Sequence, residues 1–337
     1  MTLRKARKED CYHARALYYT APGTVELRLC DVSFTAKNAS AADVLVRALW
    51  SGISRGTERL IFQGRVPPSE FERMRAPSQE GEFPFPVKYG YASVGVIERG
   101  PAELLGSKVF ALHPHQTLFA LPAEAVFRLP EKLPERRAVL AANMETALNA
   151  MWDAQACPGD RIVIVGAGTL GLLIANLAAK LPGAEVKVCD INPARESAAK
   201  AIGAEFVPPE AIRDAEADVV FHASASTAGL EASLAAAGFE ARLVELSWYG
   251  TELVPAPLGS AFHSRRLRLI SSQVGAVSQI RRARWSHRRR LAKALELLCD
   301  PRLDALITDE VDFDALPQQM PLLLSDSKGI ATAVRYR

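Results

Sequence analysis

The residues best suited to hold a charged ligand are Gly166-Ala167-Gly168-Thr169-Leu170-Gly171. They directly follow the apolar run Arg161–Val165 and open a segment, residues 169–180, with helical periodicity. An acidic residue, Asp190, ends the next apolar run nineteen positions after the third glycine. Strand, Gly-x-Gly-x-x-Gly, helix and a following acid form the dinucleotide-binding fingerprint. Gly166 permits the tight turn. Gly168 lets the backbone approach a pyrophosphate at the positive end of the helix, and Gly171 lets helix and strand pack closely. Thr169 and Leu170 complete the loop. Asp190 can accept hydrogen bonds from ribose hydroxyls and would repel a 2′-phosphate, so NAD is expected rather than NADP. Arg195, five residues on, tempers that preference. Ser224 and Ser247 end later strands, where open α/β sheets bind ligands. They are expected to contact the nicotinamide ribose and carboxamide through their main chain.

The elements that must position these residues change character along the chain. Residues 43–50, 91–98, 108–112, 118–121 and 126–129 are short runs rich in Val, Leu and Phe, punctuated by Gly and Pro. They predict a β-rich, partly open barrel. Residues 63–86 read as a surface loop, and residues 134–152 as a helix. From Asp160 strands alternate with helices: strands at Arg161–Val165, 186–189, 218–222, 242–246 and 267–271, helices at 169–180, 193–201, Thr227–Ala236 and 288–298. This predicts a doubly wound parallel sheet. Residues 332–335 are expected to return a strand to the first domain. The expected division is 1–147 with 287–337, and 148–286, with residues 1–15 a mobile basic tail.

Composition bounds the rest. The chain has 337 residues, 41 Lys+Arg against 38 Asp+Glu, and no apolar run of membrane-spanning length. Cysteines 11, 30, 157, 189 and 299 form no Cys-x-x-Cys pair, which excludes a disulfide framework and a cysteine-rich zinc lobe. A cytoplasmic protein is expected. Six arginines fall within residues 281–290, so the positive balance is local. The plainer reading of that run is a solvated loop and helix start. It is also a candidate contact for an anionic substrate or for nucleic acid.

A β-rich first domain, a mid-chain fingerprint and a short C-terminal return resemble the medium-chain dehydrogenase/reductase superfamily. The supporting segments are Trp50-Ser-Gly-Ile-Ser-Arg-Gly-Thr-Glu58, Gly90-Tyr-Ala-Ser-Val-Gly-Val96, Gly106-Ser-Lys-Val109 and the fingerprint. Short-chain dehydrogenases are disfavoured, because none of the seven tyrosines has a lysine four residues later. The resemblance implies an α/β fold: a GroES-like β-rich catalytic domain, a Rossmann doubly wound parallel-sheet cofactor domain, and a homodimer. In the family's zinc enzymes cysteines stand where Ser51 and Ser54 stand here, and a histidine where Tyr91 stands; Ala142 fills the third ligand position. None of these is a good zinc ligand, so the resemblance is to a zinc-independent branch with no metal site. Locally it is similar to the bacteriochlorophyllide hydroxyethyl dehydrogenase group, which oxidises a secondary alcohol with NAD.

The resemblance aims Tyr91 at the reaction centre, as a donor to a carbonyl or as a base. Ser54 and Thr57 stand at the ligand and proton-relay positions, and turn hydrogen bonding is an equal alternative for each. His113 occupies a substrate-pocket position and is an acid–base candidate. Glu58 is read as orienting a neighbour or capping a helix, and Glu145 as a solvated helix residue. The expected activity is interconversion of a secondary alcohol and a ketone on a small-molecule substrate, bulky or anionic. The alternatives are a quinone or enone reductase of the same fold, and a non-catalytic NAD-binding sensor or nucleic-acid-associated protein using residues 281–290. A nucleic-acid or membrane partner is not expected.

Overall fold

The computed structural model describes residues 10–34, 43–325 and 328–337. The chain divides into two compact units. One comprises the chain up to Val139 with Glu310–Leu324 and Ala333–Arg337, the other Leu140–Asp309 with Ser325–Thr332.

The first unit is built on antiparallel strands. Asp10–Ala21 and Thr24–Phe34 form a long hairpin. Residues 10–15 therefore belong to a paired strand, which corrects the expected fifteen-residue tail; residues 1–9 lie outside the described residues. The hairpin was not legible because its exposed positions carry Glu26, Arg28 and Asp31, which dilute the apolar signal. Asp43–Ile53 is the central strand of a seven-stranded sheet and is buried along most of its length. It pairs with Ser93–Arg99 on one edge, and Leu118–Pro122 also pairs with it. The strand Ala331–Arg335 joins the same sheet beside it, as its expected return requires. Val44, Val46, Ala48, Ile97, Val109 and Phe119 form the core beneath. Tyr91, expected within a strand, lies just before Ser93–Arg99.

The second unit is a six-stranded parallel sheet. Across it lie Glu205–Val207, Glu185–Cys189, Arg161–Val165, Ala217–His222, Ala237–Glu245 and Arg268–Ser271. The earliest strand in sequence is central and the chain winds outward both ways, which is the doubly wound order. Ile162, Val163, Ile164 and Val165 are all buried, as a strand covered by helices on both faces requires.

Helix Ala141–Ala154 packs on helices Thr169–Ala178 and His287–Leu297. Its Ala141, Ala147, Ala150 and Ala154 are buried and leave room for close approach. Residues 140–147 and 287–309 thus belong to this unit, where the sequence expectation gave them to the first.

The tie between those helices is polar. Arg290 is 1% exposed. Its Nε donates to Glu145 at 3.0 Å and its Nη1 to Asn149 Oδ1 at 2.6 Å and to the Ala276 carbonyl at 3.1 Å, while Nη2 reaches the Val274 carbonyl. Glu145 is thereby buried, not solvated. Removing the guanidinium strands the buried Glu145 carboxyl group and takes one of two donors from the buried Asn149 Oδ1. Arg290→Ala is expected to lower the unfolding free energy by about 3–5 kcal/mol, read from urea denaturation. A loss under about 1 kcal/mol would show the network to be dispensable.

Candidate active site

In the first unit the site is organised around Glu58, which is fully buried. It lies on the short helix Arg55–Phe62, just after Ser54. One carboxylate oxygen accepts the Ser54 N–H at 2.7 Å, reaching back to the start of its own helix. The other accepts Tyr19 OH at 2.6 Å and contacts His115 Nε2 at 3.1 Å. His115 Nδ1 lies 2.7 Å from Ser51 Oγ, which also bonds Tyr336 OH at 2.9 Å. Gly90 is needed here: its φ is +119°, and a Cβ would lie 2.8 Å from the His115 ring.

Tyr91 follows directly. Its OH donates to Ser54 Oγ and, at 3.3 Å, to Thr57 Oγ1. The Ser54 side chain caps no helix N–H and serves Tyr91 instead. The three expected hydroxyls are thus one cluster. Burial pushes the Tyr91 phenol above its ordinary value, and its hydrogen bonds to Ser54 and Thr57 only partly offset this. The phenol therefore stays protonated near neutral pH and is suited to donate, not to act as a base.

His113 is removed from the acid–base set. Its ring stacks on Phe119 at 4.0 Å, and Nδ1 faces the Pro114 carbonyl at 3.0 Å. Burial pulls its pKa down to about 3. The neighbouring His115 instead joins Glu58 and Ser51.

Zinc does not fit this donor set. Ser54 and Tyr91 at the ligand positions are hydrogen-bonded to each other. Among the described residues, no group of three or more His, Cys, Asp or Glu is placed to hold a metal ion.

In the second unit the fingerprint has the geometry its glycines imply. Gly166 has φ +110° and its N–H donates to the Cys189 carbonyl at 2.8 Å. A Cβ on Gly171 would lie 1.9 Å from the Gly166 oxygen, so no larger residue fits. A Cβ on Gly168 would meet only Arg195 Nη1, at 3.7 Å. No protein contact demands glycine at 168, and the position leaves space for a ligand's close approach. Asp190 accepts the amides of Ala167 at 2.7 Å and Asn192 at 2.9 Å, one on each oxygen. Each oxygen keeps further acceptor capacity for a ribose hydroxyl.

Arg195 donates to the carbonyls of Ala167 at 2.8 Å and Gly329 at 3.1 Å, which fixes its guanidinium beside the loop. The Thr169 hydroxyl is committed to the Ile330 carbonyl at 2.7 Å, and Leu170 is half-buried beside it. A dinucleotide phosphate would therefore be held by main-chain amides and Arg195. Ser224 and Ser247 sit on neighbouring turns joined by a hydrogen bond from Ala225 N–H to Ser247 Oγ at 3.0 Å.

The arginine run is partly structural. Arg290 is buried as described. Arg281 lies over Trp152 at 5.8 Å and Arg289 over Trp285 at 4.0 Å. The five arginines other than Arg290 are exposed, in keeping with a solvated loop and helix start.

No protein-family model matches the chain. It is 28% identical over 215 residues to an uncharacterised zinc-type alcohol dehydrogenase-like protein of Haemophilus influenzae, across 60% of this chain and 58% of that one. It is 28% identical over 248 residues to 2-desacetyl-2-hydroxyethyl bacteriochlorophyllide A dehydrogenase of Rhodobacter capsulatus, across 67% of this chain and 72% of that one. The structure of L-idonate 5-dehydrogenase from Escherichia coli superposes with a TM-score of 0.80 over 98% of this chain and 100% of that one, at 15% identity. The chain has the two-domain α/β fold of the medium-chain dehydrogenases and is similar in sequence to their zinc-type alcohol dehydrogenase-like members. Among the described residues no helix is long and apolar enough to cross a membrane.

The buried His113 carries a pH prediction. Folded, it stays neutral down to about pH 3; unfolded, it takes a proton near 6.5. The unfolded state therefore binds more protons between these values, and stability is lost as pH falls through that window, by about 1.4 kcal/mol per pH unit. His113→Phe, which keeps a ring against Phe119, is expected to flatten the fall in urea midpoint below pH 6.5. An unchanged slope contradicts the assignment.

Proposed function

We propose that the protein is an NAD-dependent oxidoreductase that interconverts a secondary alcohol and a ketone without zinc. The carrying observation is the Tyr91–Ser54–Thr57 hydroxyl cluster, standing where the zinc enzymes of the superfamily place ligands and a relay threonine. Bound NAD would accept or return the hydride. The chain's own residues would bind it and handle the hydroxyl proton.

Gly166, Gly168 and Gly171 with the first helix amides would cradle the pyrophosphate, Arg195 would stand beside it, and Asp190 would take the adenosine ribose. The high phenol pKa supports Tyr91 as hydrogen-bond donor to the substrate oxygen in the ketone-reducing direction. Ser54 and Thr57, whose oxygens the phenol contacts, would return a proton to Tyr91 once its own had passed to the substrate oxygen. Glu58 holds Ser54 by its amide and so positions this cluster. The substrate is a small molecule, bulky or anionic. A cytoplasmic homodimer accords with this reading.

The test is a panel of secondary alcohols, ketones and enones followed by NADH absorbance. Alcohol oxidation and ketone reduction are expected; turnover of enones alone would establish the reductase alternative. Tyr91→Phe is expected to lower kcat by roughly 10²–10⁴-fold, and unchanged turnover would remove Tyr91 from the chemistry. Wild-type protein is expected to bind NADH more tightly than NADPH, and Asp190→Ala to narrow the difference. Tighter NADPH binding by the wild type would refute the role given to Asp190.

A further inference from the structure

A second constellation lies at the C-terminal edge of the parallel sheet. His222 ends the strand Ala217–His222 and is fully buried. Its Nε2 lies 2.7 Å from Ser224 Oγ, and its Nδ1 lies 2.7 Å from Glu245 Oε2, at the end of the adjacent strand. Glu245 is further fixed by the Ser247 amide at 2.7 Å and by Tyr249 OH at 3.3 Å.

The protonation pattern follows. Burial alone would raise the Glu245 carboxyl, but the hydrogen bonds from His222 and Ser247 outweigh it and hold it below its ordinary value. An ionised Glu245 accepts a hydrogen bond from His222 Nδ1–H, which leaves Nε2 as the acceptor for the Ser224 hydroxyl.

The backbone presents Ser224 in a sharp strand-to-helix turn. Ala225, directly after it, has φ +51°, a conformation that alanine adopts only under constraint. The helix Thr227–Ala236 begins next to the serine: a Cβ on Gly229 would lie 2.0 Å from Ser224 Oγ. Ser226 Oγ takes the Gly229 N–H at 3.0 Å and lies 3.0 Å from Ser224 Oγ. The first helix amides, at Thr227 and Ala228, have no intrahelical acceptor, and they add positive potential close to the serine. A serine on a strained strand–helix turn, a histidine base and an acid that fixes its tautomer are the parts of a nucleophilic centre.

We propose that Ser224, His222 and Glu245 form an acyl-accepting centre that cleaves short, activated esters. The Ser224 oxygen bonds to the acyl carbon while its proton passes to His222 Nε2. The ester C–O bond breaks, and the leaving alkoxide departs with that proton. Water, deprotonated by His222, then releases the acid and restores the serine. The residues around Ser224, namely Ala223, Ala225 and Ser226, are small, which suits short acyl groups. The centre lies wholly in the second unit and does not depend on the dehydrogenase reading.

The full-length protein, without dinucleotide, is treated with an alkyl fluorophosphonate and mapped by peptide mass spectrometry. p-Nitrophenyl acetate is followed in parallel. A single adduct on Ser224 and release of p-nitrophenolate are expected, and both vanish in Ser224→Ala. His222→Gln is expected to slow labelling by roughly 10²-fold or more. Should that buried change prevent folding by circular dichroism, Glu245→Gln serves instead and is expected to slow it at least about 10-fold. The proposal is overturned by no adduct on Ser224, by adducts scattered over other residues, or by wild-type labelling rates in a folded His222 or Glu245 variant.

Discussion

A carboxylate with no solvent must be satisfied by the protein, and in the first unit that constraint falls on Glu58. Three elements supply its partners: Tyr19 from the long first strand, His115 from the segment after Pro114, and the Ser54 amide from its own helix start. Moving any of them would leave a buried carboxyl group short of partners. The arrangement therefore fixes Ser54 and Thr57, and with them the oxygen atoms that Tyr91 meets. The chemistry assigned to Tyr91 depends on a residue that never touches it.

The second unit uses the same device twice. Arg290 binds helices Ala141–Ala154 and His287–Leu297 to the loop at 274–276 through Glu145, Asn149 and two carbonyls. His222 is held between Glu245 and Ser224. In each case a buried ionisable group specifies geometry because its alternatives lack partners. The difference lies in access. Arg290 is enclosed by its acceptors, whereas Ser224 is half-exposed at the sheet edge where ligands bind.

The division of labour between units explains the unequal legibility of the two sites. A phosphate loop is local: six consecutive residues and one acid a strand later hold all its requirements, so the fingerprint and Asp190 were legible as a group. The hydroxyl cluster spans residues 54 to 91, and its members were aligned only through a family resemblance. His113 and His115 are two residues apart and chemically identical. Stacking on Phe119 buries one, and the close approach of Gly90 and Glu58 recruits the other. Nothing in the local run from Leu112 to Gln116 separates such a pair.

Short stretches of chain were enough to specify the strand–helix alternation of the second unit, its parallel sheet, the tight glycine turn at Gly166–Gly171 and the lack of zinc-ligand side chains at Ser51, Ser54 and Tyr91. Those properties depend on periodicity, glycine geometry and side-chain identity, all carried by neighbours in the chain. It took the folded molecule to show that Glu58 and Glu145 are buried, that Arg290 is a structural tie, that His115 and not His113 contacts Glu58, and that residues 10–15 form a strand. Burial and hydrogen-bond partnership are set by residues far apart in sequence, and they decide whether the same side chain is solvated, structural or reactive.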